Sequence, residues 1–218
     1  MRVEWFGQST FRLTAGDVTV VIDPFGDVSS LASRGMRFEY PPLSGVTADL
    51  LLVTHEHLDH NAVSAVGGSP RLIRSSAGTF EDTPVGTVVG VASEHDAAAG
   101  SQRGANVMYA FSLDGVRVAH LGDLGQSLLR GEQAAALGKV DLLFVPVGDG
   151  PTIGASLAFE IAGVLGARWV VPMHYRTHRT NFLETADAFL ERFASVSRPG
   201  ASFVLDEVSE GAVAPAAP

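Results

Sequence analysis

Thr54-His55-Glu56-His57-Leu58-Asp59-His60 is the stretch that decides the fold, because it places four side chains able to bind a metal ion within six residues. It directly follows Leu50–Val53, a wholly apolar run that predicts a buried strand. On a tight loop, alternation directs the first two histidines to one side and the final Asp-His pair to the neighbouring side. This arrangement suits two cations a few ångströms apart. Imidazole and carboxylate ligands favour Zn²⁺, Mn²⁺ or Fe²⁺.

Any metal site in this chain has to use nitrogen and oxygen ligands, because the 218 residues include seven His and no Cys. The absence of Cys also excludes a disulfide scaffold, an iron–sulfur cluster on thiolates and a Cys nucleophile. Fifteen Lys and Arg against 24 Asp and Glu give a formal net charge of −9, which disfavours nucleic acid and anionic membranes as partners. We therefore expect a small-molecule substrate and neither nucleic acid nor membrane as partner, and a homo-oligomer stays open.

The chain start and the hydropathy pattern bear on location. MRVEWFGQST has no apolar core of a signal peptide, and no apolar run reaches the roughly 18 residues that a transmembrane helix needs. We therefore expect a cytoplasmic protein.

Three further metal-competent residues follow predicted strands elsewhere in the chain. They are His95 after Val88–Val91, Asp123 after Gly115–Leu121, and His174 after Trp169–Val171. A lone residue of this kind is more often structural, and Gly-Asp is ordinary turn chemistry. Together with the six-residue motif they indicate one site at one edge of a sheet. The same reasoning makes His120 a structural histidine within a strand and His178 an exposed one.

Strands paired with short helices occur in both halves of the chain, which favours an α/β (α+β) fold. Layer packing then predicts a four-layer αββα sandwich of two mixed sheets flanked by helices. We expect one domain over residues 1–210, with a disordered tail over 211–218. Residues 26–48 predict a long loop or flap.

The last helix has the clearest periodicity of the chain. One apolar stripe is formed by Phe182, Ala186, Phe189, Leu190 and Phe193. Asn181 stands where an N-cap is expected, and Glu184 lies three residues later as in a capping box.

The motif from Thr54 to His60, a downstream His, a Gly-Asp and a late His resemble the metallo-β-lactamase fold superfamily. The surrounding phrases are similar to the branch of ascorbate-6-phosphate-lactonase-like metal-dependent hydrolases. These phrases are Trp5-Phe6-Gly7-Gln8-Ser9, Ile22-Asp23-Pro24, His120-Leu121-Gly122-Asp123-Leu124-Gly125, Pro146-Val147-Gly148 and Pro172-Met173-His174-Tyr175. The resemblance extends over residues 3–178.

The resemblance implies seven ligands for two divalent metal ions, with Zn²⁺ as the first expectation and Mn²⁺ or Fe²⁺ as alternatives. It implies His55, His57 and His95 on one metal, Asp59, His60 and His174 on the other, and Asp123 as the bridge.

It also implies Asp59 and His174 as catalytic residues. Two departures stand out. Gln8 occupies the place of a His that is common in the family, and the phrase Asp149-Gly150-Pro151 is irregular.

The function that the resemblance implies is a lactonase-like, metal-dependent hydrolase in which a metal-bridged hydroxide attacks a lactone, an ester or a phosphoester of a small molecule. Asp59 would orient that hydroxide. Two alternatives stay open. One is a phosphodiesterase or nuclease, which the net charge and the lack of an RNA-clamping domain disfavour. The other is a non-catalytic metal-dependent sensor or binding protein.

Residues around the motif are candidates for holding substrate or orienting ligands. Arg34, Arg37, Tyr175 and Arg176 could bind an anionic substrate, although solvated surface charge is the plainer interpretation of the first two. Each ligand His needs a partner on its other ring nitrogen. The candidates for that role are Asp23, Glu94 and Asp96.

Overall fold

The computed structural model describes residues 1–218, and its strands form two sheets that face each other. The strands are β1 (Arg2–Gly7), β2 (Thr10–Ala15), β3 (Val18–Ile22), β4 (Leu50–Val53), β5 (Arg71–Arg74), β6 (Gly78–Thr83), β7 (Gly86–Glu94), β8 (Ala105–Leu113), β9 (Val116–His120), β10 (Leu142–Pro146), β11 (Trp169–Met173), β12 (Val196–Ser197), β13 (Ser202–Val204) and β14 (Gly211–Val213). The α-helices are α1 (Gly131–Leu137), α2 (Ala155–Val164) and α3 (Asp187–Leu190).

Both sheets are mixed, and together they confirm the predicted fold class. The first has six strands in the order β13-β1-β2-β3-β4-β5, and the second has eight in the order β12-β14-β11-β10-β9-β8-β7-β6. β3, β4 and β5 are parallel neighbours, as are β9, β10 and β11, whereas the hairpins are antiparallel. The predicted turn at Asp114-Gly115 joins β8 to β9.

The main core lies between the sheets and follows from the alternation of side chains along buried strands. In β4, Leu50 and Leu52 face the second sheet, and in β10, Leu142 and Phe144 face back toward them. The opposite face of β10 packs under the three helices, where Leu143 contacts their apolar residues.

The outer face of the six-stranded sheet has a thinner cover. Val21 and Leu51 pack there against Val46, Ala48 and Val66. These last residues belong to an extended segment and to the end of a short 3-10 turn (Val63–Ala65) rather than to an α-helix. No helix of the chain has both the length and the apolar character needed to cross a membrane.

The prediction of a disordered tail over residues 211–218 is wrong. Gly211–Val213 forms β14, which lies between β11 and β12 in the eight-stranded sheet. Ala212 and Val213 are fully buried. The small residues and the β-branched Val213 fit a strand that lies between two others. The Ala- and Pro-rich composition of residues 211–218 led to the prediction of disorder instead.

The predicted last helix is also largely wrong, because only Asp187–Leu190 is α-helical. Asn181 is not an N-cap: its side chain accepts from Arg37 N at 2.7 Å and donates to Gly35 O at 3.3 Å. The apolar stripe nevertheless identified the buried side, since Ala186, Phe189 and Leu190 are all core residues.

The flap over residues 26–48 has local structure of its own. It contains a 3-10 turn (Ser29–Arg34) and is joined by a β-bridge from Phe38 to Thr180. Tyr40 Oη lies 3.0 Å from Thr177 Oγ1. The flap is therefore attached to the segment that follows His174, which places it beside the predicted metal ligands.

Candidate metal centre

The predicted ligands meet because the strands that precede them run in one direction. β3 and β4 are parallel. β7 and β9 run in the same direction because both are antiparallel to β8, and β11 shares this direction because β10 is parallel to both β9 and β11. The carboxyl ends of such strands lie at the same edge of a sheet, where ligands of α/β proteins commonly bind. The seven predicted ligands all stand just past such strand ends, on either side of the space between the two sheets.

One group of donors consists of His55, His57 and His95, whose nitrogen atoms lie within 4.8 Å of one another. His55 Nε2 is 3.0 Å from His57 Nδ1. In His55 and His95 the ring nitrogen that points away from the cluster is Nδ1, and it has a protein partner. His55 Nδ1 is 3.0 Å from Thr54 Oγ1, and His95 Nδ1 is 3.0 Å from Pro151 O. The irregular Asp149-Gly150-Pro151 phrase therefore orients His95.

A second group consists of Asp59, His60 and His174, again with donor atoms within 4.8 Å. His60 is fully buried, and its Nδ1 lies 2.9 Å from Asp23 Oδ2. Gln8 Nε2 donates to Asp59 Oδ2 at 3.2 Å. Gln8 thus contacts a predicted ligand at the position where the family has a His.

Asp123 lies between the two groups. Its Oδ2 is 3.2 Å from Nε2 of His95 and 3.8 Å from Nε2 of His55 in the first group. The same oxygen is 3.2 Å from Nε2 of His174 and 3.3 Å from Nε2 of His60 in the second. One carboxylate oxygen therefore faces histidines of both groups, which is the placement that a bridging ligand requires.

The spacing of these donors fits divalent cations. Zn–N and Zn–O bonds of about 2.0–2.1 Å in a tetrahedral site place two ligand atoms about 3.3 Å apart. The distances from Asp123 Oδ2 to His60, His95 and His174 are 3.2–3.3 Å.

Three buried atoms of the cluster also have no hydrogen-bond partner in the chain: His60 Nε2, Asp123 Oδ1 and His174 Nδ1. Unpaired buried polar atoms are costly, so a cluster of them is the expected form of a ligand site.

Asp23 lies within reach of His55 and His60 and could itself be counted as a ligand. Its oxygens, however, already accept from Thr54 N and Thr54 Oγ1, both at 2.7 Å, and from His60. This use of both oxygens makes Asp23 the orienting partner of His60, as the sequence predicted.

The pKa shifts of the clustered side chains indicate a site that stabilises positive charge. Burial would raise the pKa of Asp123, but the neighbouring His174 and His60 outweigh it and hold that pKa well below its ordinary value. Burial would likewise lower the pKa of His60, but Asp123, Asp59 and Asp23 outweigh it and raise that pKa. By contrast, burial dominates at His55 and lowers its pKa strongly. Metal ligands need neutral imidazole beside ionised carboxylate, and these are the forms favoured at His55 and Asp123. At His60 the surrounding carboxylates favour a positive charge, which a bound cation would supply in place of the proton.

Three of the eight non-glycine residues with a positive φ lie at the cluster. Gln8, Asp23 and His174 have φ of 51°, 49° and 49°, a left-handed region that non-glycine residues rarely occupy. Such residues persist only where their surroundings hold them, and they cluster at functional sites. Gly148 belongs to this packing, because a Cβ there would collide with the carbonyl oxygen of His174.

The two histidines predicted as non-ligands, one structural and one exposed, lie outside the cluster of donors. His120 is fully buried, and its Nε2 lies 3.0 Å from Ser9 O while its Nδ1 accepts from Gly122 N at 3.2 Å. Burial lowers the pKa of His120, which favours its neutral form. His178 is exposed.

A cleft of about 410 Å³ opens over the cluster, a size that suits a small molecule. Asp59, Asp123 and His174 contribute to its floor, and Arg34 of the flap lines its wall as predicted. Arg103 lines the cleft as well, and sequence reasoning missed it.

The other three predicted substrate residues do not reach the cleft. Tyr175 and Arg176 line a separate depression, and Arg176 Nε donates to Leu183 O. Tyr175 stacks on Trp5, with ring centroids 5.6 Å apart. Arg37 is half exposed and lies 3.9 Å from Glu39. Assigning these three residues to the substrate site was wrong, because nearness to His174 in sequence does not determine where a loop side chain points.

The remaining candidates for orienting ligands have other roles. Glu94 pairs with Arg130 at 2.9 Å rather than with a histidine. Asp96 accepts four backbone N–H groups, from Ala98, Gly100, Gln102 and Arg103, at 2.7–3.0 Å. Asp96 therefore organises the loop over residues 96–104 that follows His95.

Comparisons with known proteins agree with this fold and site. A family model for the β-lactamase superfamily domain matches residues 2–174. A UPF0173 metal-dependent hydrolase from Methanoculleus marisnigri is 30% identical, covering 90% of this chain and 91% of the relative. Another from Nitratidesulfovibrio vulgaris is 29% identical, with coverages of 96% and 98%. A crystal structure from Thermotoga maritima, described as a proposed Zn-dependent hydrolase of the metallo-β-lactamase superfamily, is 33% identical, covers 98% of this chain and 97% of that one, and has a TM-score of 0.79.

The fold and the cluster of histidines and carboxylates thus define a protein of the metallo-β-lactamase class. Within that class, the chain belongs to the UPF0173 family of metal-dependent hydrolases of the β-lactamase superfamily.

Proposed function

We propose that this chain hydrolyses a lactone, an ester or a phosphoester of a small molecule and that it does so with two divalent cations, of which Zn²⁺ is the first candidate. One observation carries the proposal: Asp123 Oδ2 lies 3.2–3.3 Å from histidine nitrogens of both donor groups. The description of the Thermotoga maritima protein supports the choice of zinc. The net charge of −9 supports a small molecule over nucleic acid.

Each donor group would hold one cation. His55, His57 and His95 fit the first, Asp59, His60 and His174 fit the second, and Asp123 fits both. Divalent cations supply two things to a hydrolase: a lowered pKa of a coordinated water, and polarisation of a carbonyl or phosphoryl oxygen.

The chain's own residues would then orient the reactants. Asp59 lines the cleft and is partly exposed, so its carboxylate can accept a proton from a water molecule. Gln8 holds that carboxylate through Oδ2. His174 also lines the cleft and presents a donor atom toward Asp123. That Asp59 and His174 both line the cleft supports the catalytic roles proposed for them.

Metal analysis of the purified protein, followed by a substrate panel, tests the proposal. We expect two divalent cations per chain and turnover of a lactone or an ester, lost in Asp59→Asn. His178→Ala is the matched control, because His178 is exposed and outside the cluster. Turnover of nitrophenyl phosphodiesters alone would favour the phosphodiesterase alternative. Two bound cations with no turnover across the panel would favour the non-catalytic sensor.

A further inference from the structure

The cleft over the donor cluster has two arginines with no partner. Ten of the fourteen arginines of this chain form an ion pair or a side-chain hydrogen bond, for example Arg12 with Glu4 and Arg168 with Glu210. Arg34 and Arg103 both line the cleft, and neither guanidinium forms an ion pair or a hydrogen bond. In a chain with 24 acidic and 15 basic residues, two free guanidinium groups at one cleft are a distinctive feature.

The two arginines belong to different walls, and the backbone of each is held in place. Arg103 N donates to Asp96 Oδ2 at 2.7 Å, and its neighbour Gly104 accepts from His95 N at 3.1 Å. Arg103 is thereby fixed beside His95. Arg34 ends the 3-10 turn of the flap and precedes Gly35, whose carbonyl accepts from Asn181. The side chains therefore flank the cleft from the loop after His95 and from the flap.

The charge balance of the site favours an anionic ligand once the cations are bound. Asp23, Asp59 and Asp123 supply three negative charges to the cluster. Two divalent cations would bring four positive charges, and the two arginines add to that excess. A cleft with one sign of charge concentrates ligands of the opposite sign.

The same cleft has an apolar side. Five apolar residues line it: Val28, Leu31, Met36, Leu58 and Phe182. Leu58 stands within the metal motif, is 58% exposed, and adds its side chain to the apolar surface that the other four residues form. The lining therefore combines a hydrophobic surface with two free cationic groups.

We infer that Arg34 and Arg103 form a subsite for an anion on the substrate, and that the substrate carries this carboxylate or phosphate next to an apolar part. This inference rests on the proposed function, because it assigns the substrate class of the same cleft. Arg34 and Arg103 act as specificity residues, whereas the donor cluster acts on the scissile bond.

Equilibrium binding to the metal-loaded protein tests the inference without any turnover. The probes are hexanoate, its uncharged analogue hexanamide, and acetate, measured by isothermal titration calorimetry. We expect hexanoate to bind more tightly than either of the other two. Arg34→Gln and Arg103→Gln should each weaken hexanoate about 3- to 5-fold, and the double variant about tenfold or more, with little change for hexanamide.

The matched control is Arg71→Gln. The Arg71 side chain is also exposed and free of ion pairs, but it lies opposite Leu50 in the sheet, at the end of β4 that is far from the cluster. Hexanoate affinity that is equal in the wild type and the double variant would overturn the anion subsite, and so would no hexanoate binding. Acetate binding as tightly as hexanoate would overturn the apolar part. Arginine-dependent binding without hydrolysis of any panel substrate would refute the proposed function and leave the subsite standing.

Discussion

Asp23→Asn is the substitution whose outcome the structure specifies most closely. Asp23 is fully buried and receives three hydrogen bonds on its carboxylate. Oδ1 accepts from Thr54 N at 2.7 Å, while Oδ2 faces Thr54 Oγ1 at 2.7 Å and His60 Nδ1 at 2.9 Å. These bonds link the start of the metal motif to the orientation of one predicted ligand.

An amide cannot accept all three bonds, because only one of its two polar atoms is an acceptor. If its oxygen stays on Thr54 N, the NH₂ group faces His60 Nδ1, which must then give up its proton. The proton moves to Nε2, the nitrogen that lies 3.3 Å from Asp123 Oδ2, and that nitrogen loses the lone pair a cation needs. If the amide is turned, its NH₂ group faces Thr54 N, and two donors meet in a buried site.

Both orientations have a measurable cost. Loss of an orienting partner behind a ligand histidine lowers metal affinity by about 10- to 100-fold. A buried donor left without an acceptor costs about 1–3 kcal/mol of stability. We therefore expect Asp23→Asn to lose one of the two proposed cations, the one held by the group that contains His60, together with a lower midpoint of thermal unfolding.

Competition with a chromophoric chelator measures the affinity of each cation, and differential scanning calorimetry measures the stability. Asp49→Asn is the control: its carboxylate accepts from Thr19 N at 2.8 Å, at the opposite end of β4 from the motif. That variant should keep both cations. Wild-type affinity for both cations in Asp23→Asn would refute the reasoning about the His60 tautomer.

Three further outcomes follow from the same contacts. His57→Ala removes a donor from the first group and should abolish metal-dependent hydrolysis; full metal content with a full rate would contradict the assignment. Glu56→Gln breaks bonds of 2.6–3.1 Å to Arg74, and because both side chains are about half exposed, urea unfolding should show a loss of only about 0.5–1 kcal/mol. An unchanged midpoint would show that this pair adds nothing. Deleting residues 211–218 removes β14 and should cost about 3 kcal/mol or more; a truncated chain with the same unfolding temperature would argue against that strand.

The donor cluster could be predicted from sequence because its geometry is set by strands. Four members are nearly consecutive, and His95 and His174 follow apolar runs that form β7 and β11. Strand direction alone then brings them to one edge of the fold. The anion subsite could not be found in this way. Arg103 reaches the cleft only because the loop over 96–104 wraps around Asp96, a tertiary arrangement without a periodic pattern.

The failed helix prediction over residues 182–193 shows where such reasoning stops. Hydrophobic periodicity reports which side chains are buried, but it does not say where the backbone hydrogen bonds go. Here Glu184 N donates to Gly148 O at 2.7 Å, and Glu184 O accepts from Arg176 N at 2.8 Å, so this segment cannot close its first helical turn.

The same bonds hold the two loops that enclose His174, whose carbonyl packs against Gly148. The helical preference of this segment is thus overridden by tertiary hydrogen bonds next to His174, a predicted ligand with a strained backbone. Functional sites are where the structure is expected to depart from local sequence preferences.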